Sequence, residues 1–141
     1  MAFKPGKDGW LMIDGIAGTG VNLTAYADQM SLGQPIDTHD VSVFGANAKA
    51  MIPGLADGGA FGMSGPLDVA LGTTLGPLKD AHAAGSASST IVYGPLGSVS
   101  GSIKQTAEGY VSSYDVNSGV GGRVEYSASF QITGAVANST W

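Results

Sequence analysis

The stretch Arg123-Val-Glu-Tyr-Ser-Ala-Ser-Phe-Gln-Ile-Thr-Gly134 alternates without interruption. Val124, Tyr126, Ala128, Phe130 and Ile132 fall on one side, and Arg123, Glu125, Ser127, Ser129, Gln131 and Thr133 on the other. Successive side chains of a strand point to opposite faces, so this pattern requires a long antiparallel strand with one dry and one wet side. Such a strand needs partners to cover its dry side, which commits the chain to a sheet.

Shorter segments supply the partners. Trp10–Ile13, Val21–Thr24, the region from Tyr26 towards Leu32, Val41–Phe44 and Thr90–Tyr93 have strand character, as do Val99–Ile103 and Tyr110–Val116. Ala60 to Val69 reads as one strand interrupted at Gly65-Pro66. Leu71, Leu75, Leu78 and His82 stand at i, i+4, i+7 and i+11, which predicts one helix over about 71–84. Its firm part is expected from Pro77 to Ala84, because proline suits a first helical position, with Gly85 as the stop. Gly45 to Leu55 has no clear period and reads as a long connection. Seven or eight short strands with one helix predict a mainly β, antiparallel sandwich or barrel-like fold.

The 141 residues suit a single domain, residues 1–141, that buries roughly two thirds of its unfolded surface. Residues 1–9 read as an N-terminal arm and 136–141 as a C-terminal tail. No cysteine is present, which removes disulfides, thiolate metal sites and thiol catalysis. No apolar run approaches the ~20 residues that span a bilayer, and the first residues lack a signal-peptide core, so synthesis and solubility in a cytoplasm are expected. Six basic residues are scattered against eleven acidic ones, for a net charge of −5, which argues against binding to nucleic-acid phosphates. Twenty-three glycines and a charged fraction of only 12% describe a turn-rich chain with little charge to oppose self-association.

Catalytic patterns are missing. Asp37-Thr38-His39-Asp40 is the nearest approach, but neither histidine has metal-ligand spacing, and His82 lies on the apolar face of the expected helix. No serine sits in Gly-x-Ser-x-Gly. Gly15-Ile-Ala-Gly-Thr-Gly20 lacks the Gly-Lys-Ser/Thr ending of a phosphate loop and reads as a flexible loop. The sequence therefore predicts a non-enzymatic protein without metal or cofactor, of a structural or assembly type.

Several stretches, taken in order, strengthen that reading. They are Val21-Asn-Leu-Thr-Ala-Tyr-Ala-Asp28, Asp40-Val-Ser-Val-Phe-Gly45 followed by Ala48-Lys-Ala-Met-Ile-Pro-Gly-Leu55, Phe61-Gly-Met-Ser-Gly65, Tyr110–Tyr114 and Val124–Gly134. Over roughly residues 20–135 this order resembles the tail tube (major tail) proteins of long, non-contractile-tailed bacteriophages. Many relatives carry an acidic residue after the glycine where this chain has Gly45-Ala46-Asn47.

The resemblance implies a β-sandwich with one flanking helix, assembling into hexameric rings that stack into a tube. Such a tube holds a tape-measure protein, joins tail-end proteins and passes DNA without binding it, so the chain would reside in the virion after assembly in the host cytoplasm. The N-terminal arm, the connection from Asp40 to Asp57 and the C-terminal segment are the expected contacts between copies. Asp40, Phe44, Met51, Ile52, Pro53, Leu55 and Trp141 are the interface candidates. Glu108 and Glu125 are candidates for a negative lumen. Two other roles remain open: a capsid decoration, head–tail or tail-end joining protein, and a stand-alone β-sandwich module binding a ligand such as carbohydrate.

Overall fold

The C-terminal alternating run forms the centre of the sheet. In the computed structural model, which describes residues 6–16, 18–45, 47–56 and 59–141, strand β9 (Glu125–Thr140) pairs with the equally long β8 (Ile103–Asn117). The other strands are β1 (Trp10–Asp14), β2 (Gly20–Asn22), β3 (Gln29–Leu32), β4 (Ile36–Asp40), β5 (Met51–Ala56), β6 (Ala60–Pro66) and β7 (Ser89–Gly94). The helix α1 (Val69–Ala83) lies between β6 and β7. Seven strands form one antiparallel sheet in the order β2-β1-β7-β8-β9-β6-β3, while β4 and β5 pair only with each other.

The sheet curls over a single core. Phe61 of β6 and Tyr93 of β7 have β8 and β9 between them in the sheet, yet their rings stand 5.6 Å apart. At a strand spacing of ~4.8 Å, a flat sheet would hold them about 14 Å apart. The two halves of the sheet therefore face each other, as in a sandwich. Tyr126, Ala128, Phe130 and Ile132, all on the predicted dry side, are buried against Phe61, Leu11, Ile13 and Ile91. Val124 was expected with them but lies ahead of β9 and is 42% exposed.

Helix α1 covers the core alongside β8, burying Leu71, Leu75 and Leu78 at the predicted spacing. Each such side chain contributes roughly 1.5–3 kcal/mol when removed from water. The helix starts earlier than expected, because the Asp68 carboxylate caps the Ala70 N–H at 3.1 Å. Pro77 is an interior residue rather than the first one. It sits on the exposed side, so the carbonyl that its missing N–H leaves unpaired, that of Thr73, can turn to water.

Four further expectations are corrected. The strand expected at Val41–Phe44 is found at Ile36–Asp40, and Met51–Ala56, read as irregular connection, is a strand. The segment 136–141 is not a tail: β9 continues through Thr140, and its end pairs with Ile103–Thr106 of β8. The runs Val99–Ile103 and Tyr110–Val116 do not form two strands; β8 begins at Ile103 and continues through the second run. Among the described residues no helix is long and apolar enough to cross a membrane.

Candidate assembly interface

Strands β3 and β6 pair at the edge of the sheet, and their chains continue past Gly33 and Ala60 into the β4–β5 ribbon. Together they make an arm that leaves the body. Every residue of β4 is exposed. Both faces of the ribbon carry apolar groups, because Met51 and Ile52 are successive residues and are 50% and 48% exposed. A ribbon wet on both sides has no buried face to impose alternation, which is why periodicity did not reveal β5. Pro53 is tolerated because a two-stranded ribbon has free edges, and it stands opposite Thr38. At Gly54 a Cβ would come within 2.7 Å of the His39 imidazole, so a side chain there would have to push that exposed ring aside.

The arm is tied at its base and at its neck. At the base, the Gln34 and Asn138 side-chain amides exchange hydrogen bonds of 3.2 and 2.9 Å, and the Gln105 amide also donates to Asn138 Oδ1. Also at the base, the Gly59 carbonyl, just before β6, accepts from the Ile132 N–H and the Gln131 side chain of β9. At the neck, Asp40 accepts the Ser42 N–H at 2.8 Å, and the Ser42 hydroxyl accepts the Ala50 N–H at 2.8 Å. The Ser42 N–H and hydroxyl hold the Asp40 carboxyl below its usual range. Local side-chain bonding of this kind ends a strand, which explains why β4 stops at Asp40 despite the alternation beyond it. The tip then presents Val43, 75% exposed, and Phe44, fully exposed.

Of the candidates, Asp40, Met51, Ile52 and Pro53 come together on the arm, with Phe44 at its tip. Leu55 belongs to β5 by its backbone, and its side chain lies outside the described residues, as do residues 1–5 of the expected N-terminal arm. Trp141 is elsewhere. It packs edge-on against Trp10 at 6.3 Å, and Lys104 stands 5.2 Å from the centre of its ring. Glu108 and Glu125 lie on the outward face of the β8–β9 pair, opposite Thr133 and Asn117 respectively. Eight residues of β9 therefore separate them (133 − 125), about 26 Å at ~3.3 Å per residue. Glu108 accepts from the Ser88 and Thr90 hydroxyls, and Glu125 from Arg123, which also grips Asp28 at 2.7 Å.

His82 is held rather than reactive. Its Nδ1 accepts the Val111 N–H at 2.9 Å, so Nε2 carries the proton and donates to Ser89 Oγ at 3.1 Å. Desolvation lowers its pKa. Among the described residues no grouping of three or more histidines, aspartates or glutamates has the arrangement of a metal site. A cleft of about 640 Å³ beside β3 holds one carboxylate, Asp28, already engaged by Arg123.

One exposed apolar cluster was not anticipated. The turn between β8 and β9 presents Val116, Val120 and Val124, of which Val120 is fully exposed. Its signal was the row of valines around Asn117-Ser118-Gly119, the last of them absorbed into the alternation of β9.

No family model and no curated protein sequence matches the chain. Solved structures do. A chain in the C6-symmetric tail of an empty gene transfer agent particle aligns with a TM-score of 0.76 at 14% identity, over 98% of this chain and 100% of the other. The SPP1 tail tube protein aligns at 0.68 and 19% identity, over 97% and 79%. The chain has the tail-tube fold. A component of the sixfold-symmetrised baseplate of the anti-feeding prophage shares it at 0.72 and 9% identity, over 99% and 97%.

Proposed function

We propose that this chain is the subunit of a phage tail tube, a non-enzymatic virion protein that forms rings, six copies to a ring, stacked into a conduit for DNA. The observation that carries this reading is the apolar arm. On a fold shared with tail structures, a ribbon bearing Met51, Ile52, Val43 and Phe44 in water is a liability for a monomer and a contact surface for an assembly. A contact between unlike surfaces that does not close continues indefinitely, which is how rings become a tube. The net charge of −5 and the scattered lysines suit a wall past which DNA slides, since clustered cations would bind phosphates and stall it. Glu108 and Glu125 are proposed to add to the negative potential of the lumen. A tape-measure protein inside the tube and tail-end proteins at its tip are the partners this role requires.

Negative-stain microscopy of the concentrated protein tests the reading, with rings or tubes several nanometres across as the expected result. Met51→Asp and Ile52→Asp are each expected to abolish tubes while leaving circular dichroism and the thermal midpoint unchanged. A wild-type protein that stays monomeric at every concentration counts against the role. The baseplate likeness favours one alternative, a tail-end joining protein, for which single rings that never stack are the distinguishing outcome.

A further inference from the structure

Among the described residues the seven-stranded sheet ends in two free edges, β2 and β3. Edge strands that must stay single are guarded by lysine, proline or a bulge. β3 reads Gln29-Met30-Ser31-Leu32 and pairs with β6 in unbroken register, without charge, proline or bulge. The cleft of about 640 Å³ beside it has Gln29 and Met30 in its wall. The segment just before β3, residues 26–28, is held by β6 and by residues around the start of β9. Tyr126 donates its hydroxyl to the Tyr26 carbonyl at 2.9 Å. Gly65 lets the two backbones approach, since a Cβ there would stand 2.5 Å from the Tyr26 carbonyl oxygen and 3.0 Å from the Asp28 nitrogen. Asp28 donates its N–H to the Ser64 carbonyl at 2.9 Å, and its carboxylate accepts from Arg123 at 2.7 Å.

We propose that Arg123 is a positioning residue for assembly: by holding Asp28 it fixes β3 as a ready edge, on which a strand of a neighbouring copy adds. The inference rests on the tube reading and names what prepares one contact within it. One guanidinium binds two carboxylates, Asp28 through Nη2 and Glu125 through Nε, both at 2.7 Å. Without it those two carboxylates repel, and Asp115 stands one pair along the same face of β8 from Glu125. Lys7 shares the cleft wall with Asp28 but makes no ion pair with it. All three clasped side chains are about half exposed, and exposed ion pairs add little to the stability of a fold. An edge already held in place, by contrast, spares a binding partner the cost of ordering it. A second copy is the occupant because the molecule carries the complementary part. The other free edge, Gly20-Val21-Asn22 of β2, is also uncharged, and pairing unlike edges leaves one of each for the next copy.

A charge exchange read on assembly makes the test. Arg123→Asp is expected to raise the concentration needed for rings by about threefold or more, with the thermal midpoint retained. The same variant is expected to speed amide exchange across β3. Asp28→Arg alone is expected to do likewise. The double variant Arg123→Asp/Asp28→Arg is expected to bring both readouts back towards wild type, which a loss of packing would not do. Arg123→Gln, which removes the charge without adding a like one, is expected to fall between wild type and Arg123→Asp. Rings from Arg123→Asp and Arg123→Gln at the wild-type concentration, or an exchange variant that restores neither readout, overturn the positioning role and leave the tube reading standing. A wild-type protein that forms no rings removes both.

Discussion

Two side chains show how this fold satisfies its buried polar groups. Tyr126 is 2% exposed and donates its hydroxyl to the Tyr26 carbonyl at 2.9 Å, and burial pushes its phenol pKa upward. Tyr126→Phe leaves that carbonyl without its partner, and a loss of about 1 kcal/mol in urea unfolding is expected. His82 makes the opposite kind of statement, about pH. The folded state resists protonating the imidazole, because desolvation disfavours its charge and Nδ1 already accepts the Val111 N–H. The unfolded chain accepts that proton near the ordinary histidine value of about 6.5. Stability is therefore full above that pH and declines as the pH falls below it, towards the folded pKa. His82→Asn keeps an acceptor for Val111 and cannot titrate. The drop in unfolding midpoint between pH 7 and pH 5.5 is expected to be smaller in this variant than in wild type.

At the scale of elements, the long strands are shaped by their irregularities. Thr106 pairs with Ala137 and Glu108 with Thr133, so β9 carries extra residues between these pairs, and Gly134 among them has a φ of +80°. This bulge turns the last part of β9 so that Ala137–Thr140 still pairs with β8 and Asn138 reaches Gln34 at the base of the arm. A Cβ at Gly134 meets nothing within 4 Å, so the cost of substitution is conformational alone. Gly134→Ala is expected to destabilise by about 1–2 kcal/mol, read by thermal or urea unfolding. The Asn138→Ala variant, which removes the amide pair but no backbone requirement, is expected to leave the midpoint unchanged and to loosen only the arm, seen as faster amide exchange across β4 and β5.

At the scale of the whole molecule, the body and the arm divide the work. Among the residues whose burial is described, every one in the core belongs to the seven-stranded sheet, the β2–β3 connection or α1. Replacing residues 42–49 with a two-residue turn is therefore expected to change stability by less than about 0.5 kcal/mol, because no buried contact is lost. The same variant is expected to form no tubes under the microscope. Intact tubes from it would remove the arm tip from assembly altogether.

What was legible in the sequence was whatever packs against the core of its own chain. The alternation Tyr126–Ile132 and the helical spacing Leu71–Leu75–Leu78 follow from burial of one face, and burial leaves a period in the residues. The order of turn and strand segments also carried the resemblance to tail tube proteins, which the fold bears out. Illegible were the features set by partners distant in the chain. Met51–Ala56 is a strand because of its pairing with β4, while Met51 and Ile52, on opposite faces, both stay wet; 136–140 is strand because β8 lies beside it; and Val124 leaves the dry face because β9 begins one residue later. The arm's tie to Asn138 spans 104 residues of sequence, a separation at which no local pattern signals contact. Local residues determined which faces are dry, and only the tertiary structure decided which edges meet, because a hydrogen-bonded edge can form with little trace in the side chains that flank it.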